Sequence, residues 1–208
     1  MDESEIIEPR FPVVALVASA GGLAAFAAVL SHLPRDFGGA VVIVQHLEPT
    51  RPSLLASILG QSSGLPIREA RQGDRLCPGL ALVAPPDHHL IVQSNATLAL
   101  TSTARVHFTR PSADALLESL GRSLGPRSIA VILTGTGSDG AEGARLVKQA
   151  GGIVLAQDRA SAQNFGMPEA AIRTGCVDAV LPLDQIAPTL IQLVGAATRC
   201  DRSRPAQE

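Results

Sequence analysis

Short apolar runs alternate with amphipathic segments along most of the chain. The runs at 13–18, 40–44 and 129–133 consist of Val, Ala, Leu and Ile, and each has the length of a buried strand. Each is followed, directly or after a loop, by a segment whose apolar residues recur at helical spacing. Such alternation predicts a mostly parallel sheet with helices on both faces. The predicted helices run from about Leu23 to Leu30, Leu54 to Ile58, Ser112 to Leu124, Ala141 to Ala150 and Leu183 to Val194, and further strands are predicted at 153–156 and 179–181.

The stretch from Ile67 to Leu100 has a different pattern. Prolines and glycines interrupt it, and its apolar runs are short. It is predicted to form small strands, some of them antiparallel, including strands at 81–84 and 89–93.

The chain is interpreted as one domain because no internal repeat and no low-complexity segment divides it. The domain is expected to span residues 12–194, between an N-terminal tail at 1–11 and a C-terminal tail at 195–208. No apolar run reaches the roughly 18–20 residues that a membrane span needs, and the acidic N-terminus is unlike a secretory signal. The spacing of the three cysteines matches no metal site, so they are interpreted as reduced thiols of a cytoplasmic protein.

Composition narrows the possible functions. Hydrophobic residues make up 46% of the 208 residues but aromatic residues only 2%, so the core must consist mainly of aliphatic side chains. Few aromatic rings also means few platforms on which bases could stack, and the net charge of −2 comes with no basic stripe. A nucleic-acid partner is therefore not expected.

Three polar residues follow predicted strands. Ser19 comes after the first strand, His46 after the second, and Asp139 in the turn after the strand at 129–133. The carboxyl ends of parallel strands meet at one edge of a sheet, where such folds bind their ligands. A serine hydroxyl, a base that takes its proton and a carboxylate that orients the base are the groups that acyl transfer needs. The placement favours a serine hydrolase.

The surroundings of Ser19 suit a nucleophile, although other interpretations stay open. Gly21 and Gly22 allow a sharp turn, and the first amides of the next helix could stabilise an oxyanion. The full G-x-S-x-G motif is absent, and the order Ser, His, Asp differs from that of the α/β-hydrolases. Alternatively, Ser19 only caps a helix, His46 bonds to a loop carbonyl, and Asp139 caps the helix that follows it.

A competing motif lies in the same region. Residues 135–140 match G-x-G-x-x-G between a predicted strand and a predicted helix, and Asp158 follows at the end of the next strand. This pattern is typical of dinucleotide-binding units. However, the Asp139 carboxylate within the loop would repel a pyrophosphate. A dinucleotide-binding enzyme remains the alternative that the motif supports.

Several segments, taken in order, resemble the catalytic domain of the chemotaxis protein-glutamate methylesterases (CheB type). The similarity covers about residues 12–194 and is far more specific than the glycine motif alone. The segments that carry it are 14–22 (VALVASAGG), 44–46 (VQH), 78–79 (PG), 84–86 (APP), 110–114 (RPSAD), 130–141 (AVILTGTGSDGA), 156–158 (AQD) and 165–168 (FGMP).

The resemblance implies a doubly wound α/β fold with Ser19 as nucleophile, His46 as general base and acid, and Asp139 as the orienting carboxylate. It implies hydrolysis of glutamate γ-methyl esters, and deamidation of certain glutamines, on the cytoplasmic helices of methyl-accepting chemotaxis receptors. No cofactor and no metal are expected. Backbone support for the oxyanion is expected from Ala20, Gly21 and Thr136.

Two departures from the family pattern affect these expectations. Val17, Ala20 and Thr136 stand where the family usually has Gly, Thr and Met, which bears on rate and substrate preference but not on the triad. The family also typically carries an N-terminal receiver domain, whereas this chain begins shortly before the first strand. The site is thus expected to be open constitutively or controlled by a separate receiver protein. A sensory adaptor of the same fold without catalysis is a further alternative.

Overall fold

A computed structural model describes residues 11–46 and 52–202, in which strands and helices alternate except where four strands follow one another between residues 67 and 101. The strands are β1 (Val13–Ala18), β2 (Ala40–Gln45), β3 (Ile67–Glu69), β4 (Ala81–Val83), β5 (His89–Val92), β6 (Leu98–Thr101), β7 (Ser128–Ile132), β8 (Ile153–Gln157) and β9 (Ala179–Leu181). The helices are α1 (Gly22–Ser31), α2 (Leu55–Gly60), α3 (Ala113–Leu124), α4 (Ala141–Gln149), α5 (Gly166–Arg173) and α6 (Leu183–Arg202).

Seven strands form one sheet in the order β3-β4-β2-β1-β7-β8-β9, and every neighbouring pair is parallel. Helices cover both faces, so the predicted doubly wound α/β fold is confirmed. β1 lies at the centre and is fully buried. Alternate β1 side chains point to opposite faces, as strand geometry requires. Those on one face join a core with α3 and α4, and those on the other a core with α1 and α6.

The Ile67–Leu100 region forms short strands, as predicted, and they divide between two sheets. β4 lies between β2 and β3 in the main parallel sheet, a place that the sequence prediction does not specify. The strand predicted at 89–93 is β5, and it pairs with β6 in an antiparallel hairpin, as expected. The completely buried Leu90 and Leu98 attach this hairpin to the core.

The last helix is longer than predicted. α6 continues to Arg202 instead of ending near Val194, so residues expected in the C-terminal tail are helical. A single glycine costs a helix only about 1 kcal/mol, and the alanines after Gly195 favour continuation. In the described part of the chain, none of the helices combines the length and the apolar character needed to span a bilayer.

The sheet creates a crevice at its carboxyl edge. From β1 the chain crosses to β2 on one side, whereas from β7 it crosses to β8 on the other side. The helices that follow β1 and β7 therefore lie on opposite faces of the sheet, and in α/β folds the crevice that binds ligands lies between such helices. The residues that follow β1, β2 and β7 surround this point.

Candidate active site

Ser19 and His46 directly follow two neighbouring strands. Ala18 and Gln45 are the last paired residues of β1 and β2, so Ser19 and His46 come next on each side of the pair. The His46 N–H donates to the Ala18 carbonyl at 3.3 Å, and the Ser19 N–H donates to the Thr134 carbonyl at 3.0 Å. The backbone thus fixes both residues at the same edge of the sheet.

His46 is hydrogen-bonded to Asp139, as a hydrolytic triad requires. The distance from His46 Nε2 to Asp139 Oδ2 is 2.7 Å, and the Asp139 side chain is only 3% exposed. The two residues lie 93 positions apart in sequence. Asp139 is brought to His46 because the loop after β7 folds back over the carboxyl edge of the sheet.

The Asp139 carboxylate accepts further hydrogen bonds from the beginning of α3. Ser112 Oγ donates to Oδ1 at 2.8 Å, the Ala113 N–H to Oδ2 at 2.7 Å and the Asp114 N–H to Oδ1 at 2.9 Å. Thr109 Oγ1 lies 3.3 Å from Oδ2. Asp139 therefore occupies the N-terminus of α3, not that of the helix that follows it in sequence.

These contacts decide the charge of Asp139. Burial by itself disfavours the carboxylate, but the hydrogen bonds from His46, from the Asp114 and Ala113 amides and from Ser112 outweigh it and lower the pKa of Asp139 to about 2. The group is consequently anionic at neutral pH. An anion beside Nε2 favours a proton on that nitrogen, which leaves Nδ1 as the basic nitrogen of neutral His46.

Ser19, the third member of the predicted triad, follows the strand next to that of His46 but is not hydrogen-bonded to His46 in the described chain. Within residues 11–46 and 52–202, the Ser19 hydroxyl makes no hydrogen bond. The side chain is partly exposed at the rim of the crevice. Catalytic hydrogen bonds are often loose before substrate binds, so this arrangement is compatible with a nucleophile that engages its base in the substrate complex.

The three backbone amides predicted to support an oxyanion flank Ser19 or lie in the loop next to it. The N–H groups of Ala20, Gly21 and Thr136 donate to no acceptor within the described residues. The Ala20 carbonyl instead accepts from Thr134 Oγ1 at 2.9 Å, which fixes the turn. Gly21 has φ of +84°, and a Cβ there would lie 2.6 Å from Gln163 Oε1. A side chain at this position would therefore be both strained and crowded.

Gly135 brings the glycine-rich loop against Ser19. A Cβ on Gly135 would lie 2.2 Å from Met167 Sδ and 2.9 Å from Ser19 Cβ. No side chain fits between these groups, so the loop that carries Thr136 and Asp139 packs directly on the candidate nucleophile. The first glycine of the G-x-G-x-x-G pattern is explained by this packing.

The N-terminus of α4 is not available to a dinucleotide. The Gly140 and Gly143 amides both donate to Asp114 Oδ1, at 2.9 and 2.6 Å. The carboxylate of Asp158, the candidate ribose ligand, accepts from the amide and hydroxyl of Ser161. A pyrophosphate would have to displace one buried carboxylate and lie beside another, so we reject the dinucleotide alternative.

A second carboxylate–imidazole contact adjoins the first. His107 Nε2 lies 3.0 Å from Asp114 Oδ2, and potential ligand atoms of His107, Asp114 and Asp139 are within 4.8 Å of one another. Both oxygens of Asp139 already face N–H or O–H donors. Those donors would have to turn away before a cation could bind, so the cluster suits a hydrogen-bonded network better than a metal site.

Sequence reasoning from the residues alone missed the groups that hold Asp139. Ser112 was predicted at the beginning of a helix, and it is the N-cap of α3, accepting from the Ala115 N–H at 3.4 Å. An N-cap signal predicts that local bond but not the bond to Asp139, 27 positions away. No local pattern reports such long-range contacts.

Known proteins share this architecture. Residues 14–190 match the family model for the CheB methylesterase. A protein-glutamate methylesterase/protein-glutamine glutaminase from Moorella thermoacetica is 42% identical over 91% of this chain and 46% of its own length. The protein-glutamate methylesterase FrzG from Myxococcus xanthus is 40% identical over 89% of this chain and 56% of its own.

A solved structure agrees with these matches. The CheB methylesterase catalytic domain of Thermotoga maritima superposes with a TM-score of 0.85 at 36% identity, over 88% of this chain and 99% of that domain. By contrast, the chain spans about half the length of the curated relatives it matches. The resemblance seen in the sequence is confirmed, and the chain belongs to the CheB methylesterase family.

Proposed function

We propose that this chain is a serine esterase that hydrolyses glutamate γ-methyl esters on methyl-accepting chemotaxis receptors. The observation that carries the proposal is the 2.7 Å contact between His46 Nε2 and the anionic Asp139, at the strand end next to Ser19. A neutral imidazole whose second nitrogen is free can take the proton of a neighbouring hydroxyl. We assign Ser19 as nucleophile, His46 as general base and acid, and Asp139 as the orienting carboxylate.

The reaction proceeds in two halves. Ser19 Oγ attacks the ester carbonyl while its proton passes to His46 Nδ1, and Asp139 stabilises the imidazolium through Nε2–H. The oxyanion accepts hydrogen bonds from the unpaired amides of Ala20, Gly21 and Thr136. The proton on His46 then goes to the leaving methoxide, which departs as methanol. Water activated by the same imidazole hydrolyses the acyl-enzyme and releases the glutamate.

The substrate assignment draws on the relatives. Their names describe protein-glutamate methylesterase and, in several, protein-glutamine glutaminase activity. The same site could release ammonia from a glutamine amide by the same steps, since only the leaving group differs. We assign the cytoplasmic helices of chemotaxis receptors as the macromolecular substrate, and a separate receiver protein is a candidate regulator.

The test compares methanol release from a methylated receptor fragment by the wild type and by Ser19→Ala. The Ser19 hydroxyl makes no hydrogen bond in the described chain, so the substitution should leave the melting temperature nearly unchanged. Methanol release should fall at least about 10³-fold, as for the loss of other triad nucleophiles.

A fluorophosphonate probe provides an independent measurement. It should label the wild type at Ser19 and leave the Ser19→Ala variant unlabelled. A wild type that neither releases methanol nor reacts with the probe would instead be a sensory adaptor of the same fold.

A further inference from the structure

A short turn beside Asp139 has an unusual backbone. Val106 and Thr109 pair with each other, the Val106 N–H donating to the Thr109 carbonyl at 3.2 Å and the Thr109 N–H to the Val106 carbonyl at 2.9 Å. The two residues between them, His107 and Phe108, have φ of +47° and +64°. Two-residue turns of this kind normally use Asn and Gly, because other side chains are strained at positive φ.

The turn also exposes an aromatic ring. The Phe108 side chain is 95% exposed, more than any other large apolar side chain in the described part of the chain. The sequence has only five phenylalanines and neither Trp nor Tyr. Two of the other phenylalanines, Phe26 and Phe37, are buried, and Phe165 lies under the Arg159 guanidinium at 4.3 Å. Phe108 is thus an exposed aromatic ring on a backbone that is strained at two successive residues, and strain of this kind clusters at ligand clamps and active sites.

The base of the turn is attached to the candidate catalytic residues. Thr109 Oγ1 donates to the Val106 carbonyl at 2.8 Å and lies 3.3 Å from Asp139 Oδ2. On the other side, His107 Nε2 contacts Asp114 Oδ2 at 3.0 Å. The turn formed by residues 106–109, which we name the Phe108 turn, is therefore held in a defined place beside the site while its tip projects into solvent.

The reaction requires close contact with a protein at this place. A glutamate side chain is short, so its ester reaches Ser19 only if the polypeptide that carries it comes against the rim of the crevice. Aromatic side chains are enriched among the residues that anchor protein interfaces. We infer that the Phe108 turn is a docking element, in which the Phe108 ring packs on an apolar side chain next to the ester-bearing glutamate. This inference rests on the proposed function.

Phe108→Gly tests the inference, because it removes the ring and relieves the strain of positive φ at once. With a methylated receptor fragment, kcat/KM should fall about tenfold or more, mainly through a higher KM. With a small ester, N-acetylglutamate γ-methyl ester, kcat/KM should stay within about twofold of the wild type. Phe108→Leu, which keeps an apolar side chain, should restore part of the loss on the receptor fragment.

Val180→Ala is the matched control. Val180 is a 46% exposed apolar residue on the edge strand β9, which β8 separates from β7. It should act like the wild type on both substrates. Equal rates for Phe108→Gly and wild type on the receptor fragment would overturn the inference, as would an equal loss on both substrates, which would mean that the turn acts through Asp139. If the wild type releases no methanol, the proposed function itself fails.

Discussion

The candidate triad depends at the residue scale on the environment of one carboxylate. Asp139 is buried, yet it is anionic because its donors include a side-chain hydroxyl, two backbone amides and an imidazole. Backbone amides cannot change their polarity, so only a group with two acceptor oxygens satisfies this position. The same donors hold the carboxylate in the orientation that His46 requires.

Asp139→Asn should therefore impair both catalysis and folding. One of the two oxygens becomes an NH2 group, so an amide of α3 faces a donor and loses its acceptor. We expect the unfolding free energy to fall by about 1–3 kcal/mol. Esterase activity should fall roughly 10⁴-fold, because the neutral amide neither holds the same His46 tautomer nor stabilises its imidazolium.

Methanol release and urea unfolding measure the two effects of Asp139→Asn. Asp158→Asn is the control, since Asp158 follows β8 and, among the described residues, its carboxylate accepts hydrogen bonds from Ser161 alone. The control should keep activity close to that of the wild type. An Asp139→Asn variant with more than about a tenth of wild-type activity would contradict the assigned role of Asp139.

At the scale of elements, the N-terminus of α3 and that of α4 each donate to a carboxylate that comes from the region of the other helix. Asp139, at the entrance to α4, accepts from the first amides of α3, while Asp114 of α3 accepts from Gly140 and Gly143 at the start of α4. Each helix N-terminus thus faces an acidic group from the other helix or its entrance. The helix dipole favours this arrangement because it stabilises negative charge at an N-terminus. The two helices also pack closely, since a Cβ on Gly143 would lie 2.6 Å from Leu117 Cβ.

Ser112→Ala tests this coupling. The substitution removes the N-cap of α3 and a hydrogen bond to Asp139 together. Loss of the cap should cost about 1 kcal/mol, and loss of the bond to the carboxylate should cost a further amount of about the same size. We expect lower activity as well, by about tenfold, because Asp139 keeps its charge but is held less firmly.

Two variants of the same helix check the Ser112 prediction by thermal unfolding and esterase assay. Ser112→Thr keeps the hydroxyl and should retain most of the stability and activity. Ser123→Ala removes a hydroxyl that bonds to the Val92 carbonyl, away from Asp139, and should affect stability but not turnover. A normal rate for Ser112→Ala would show that the other donors suffice to hold Asp139.

Elements with strong local signals were predicted from the sequence, whereas contacts between distant segments were not. The six residues of β1 and the beginning of α3 near Ser112 are encoded by a continuous apolar run and by a polar residue before an amphipathic segment. Placing β4 in the main sheet depends on its pairing with β2, which a three-residue strand does not indicate. The same is true of the site. The strand ends predict that Ser19, His46 and Asp139 share an edge of the sheet, but they do not predict which helix N-terminus Asp139 faces.

At the scale of the whole molecule, the site lies where the two halves of the sheet meet. Ser19 follows β1 and Asp139 follows β7, which pair with each other, while His46 follows β2 on the far side of β1. The buried central strands of the sheet therefore fix the relative positions of three residues that are distant in sequence. Any change that opens the β1–β7 contact would separate the groups and also expose the core, so catalysis and folding are linked.

This linkage should be visible in the acid stability of the protein. The pKa of Asp139 is about 2 when folded, against an ordinary 3.8, so its contribution is fully present above about pH 4 and is lost as the pH falls through about 2. The difference between these two pKa values corresponds to about 2 kcal/mol of unfolding free energy. Asp114 acts in the opposite direction, because burial and the nearby charge of Asp139 raise its pKa despite the hydrogen bond from Gly143. Protonation of Asp114 therefore favours the folded state as the pH falls.

Urea unfolding of three proteins between pH 7 and pH 2 separates the two contributions. Asp139→Asn should start less stable and lose less stability than the wild type between pH 4 and pH 2, since the group with the lowered pKa is gone. Asp114→Asn keeps an acceptor oxygen for Gly140 and Gly143 but has no proton to gain, so it should lose more stability on acidification than the wild type does. If the unfolding free energy changed with pH in the same way for all three proteins, neither carboxylate would have the environment described. The electrostatic basis of the His46–Asp139 pair would then be wrong as well.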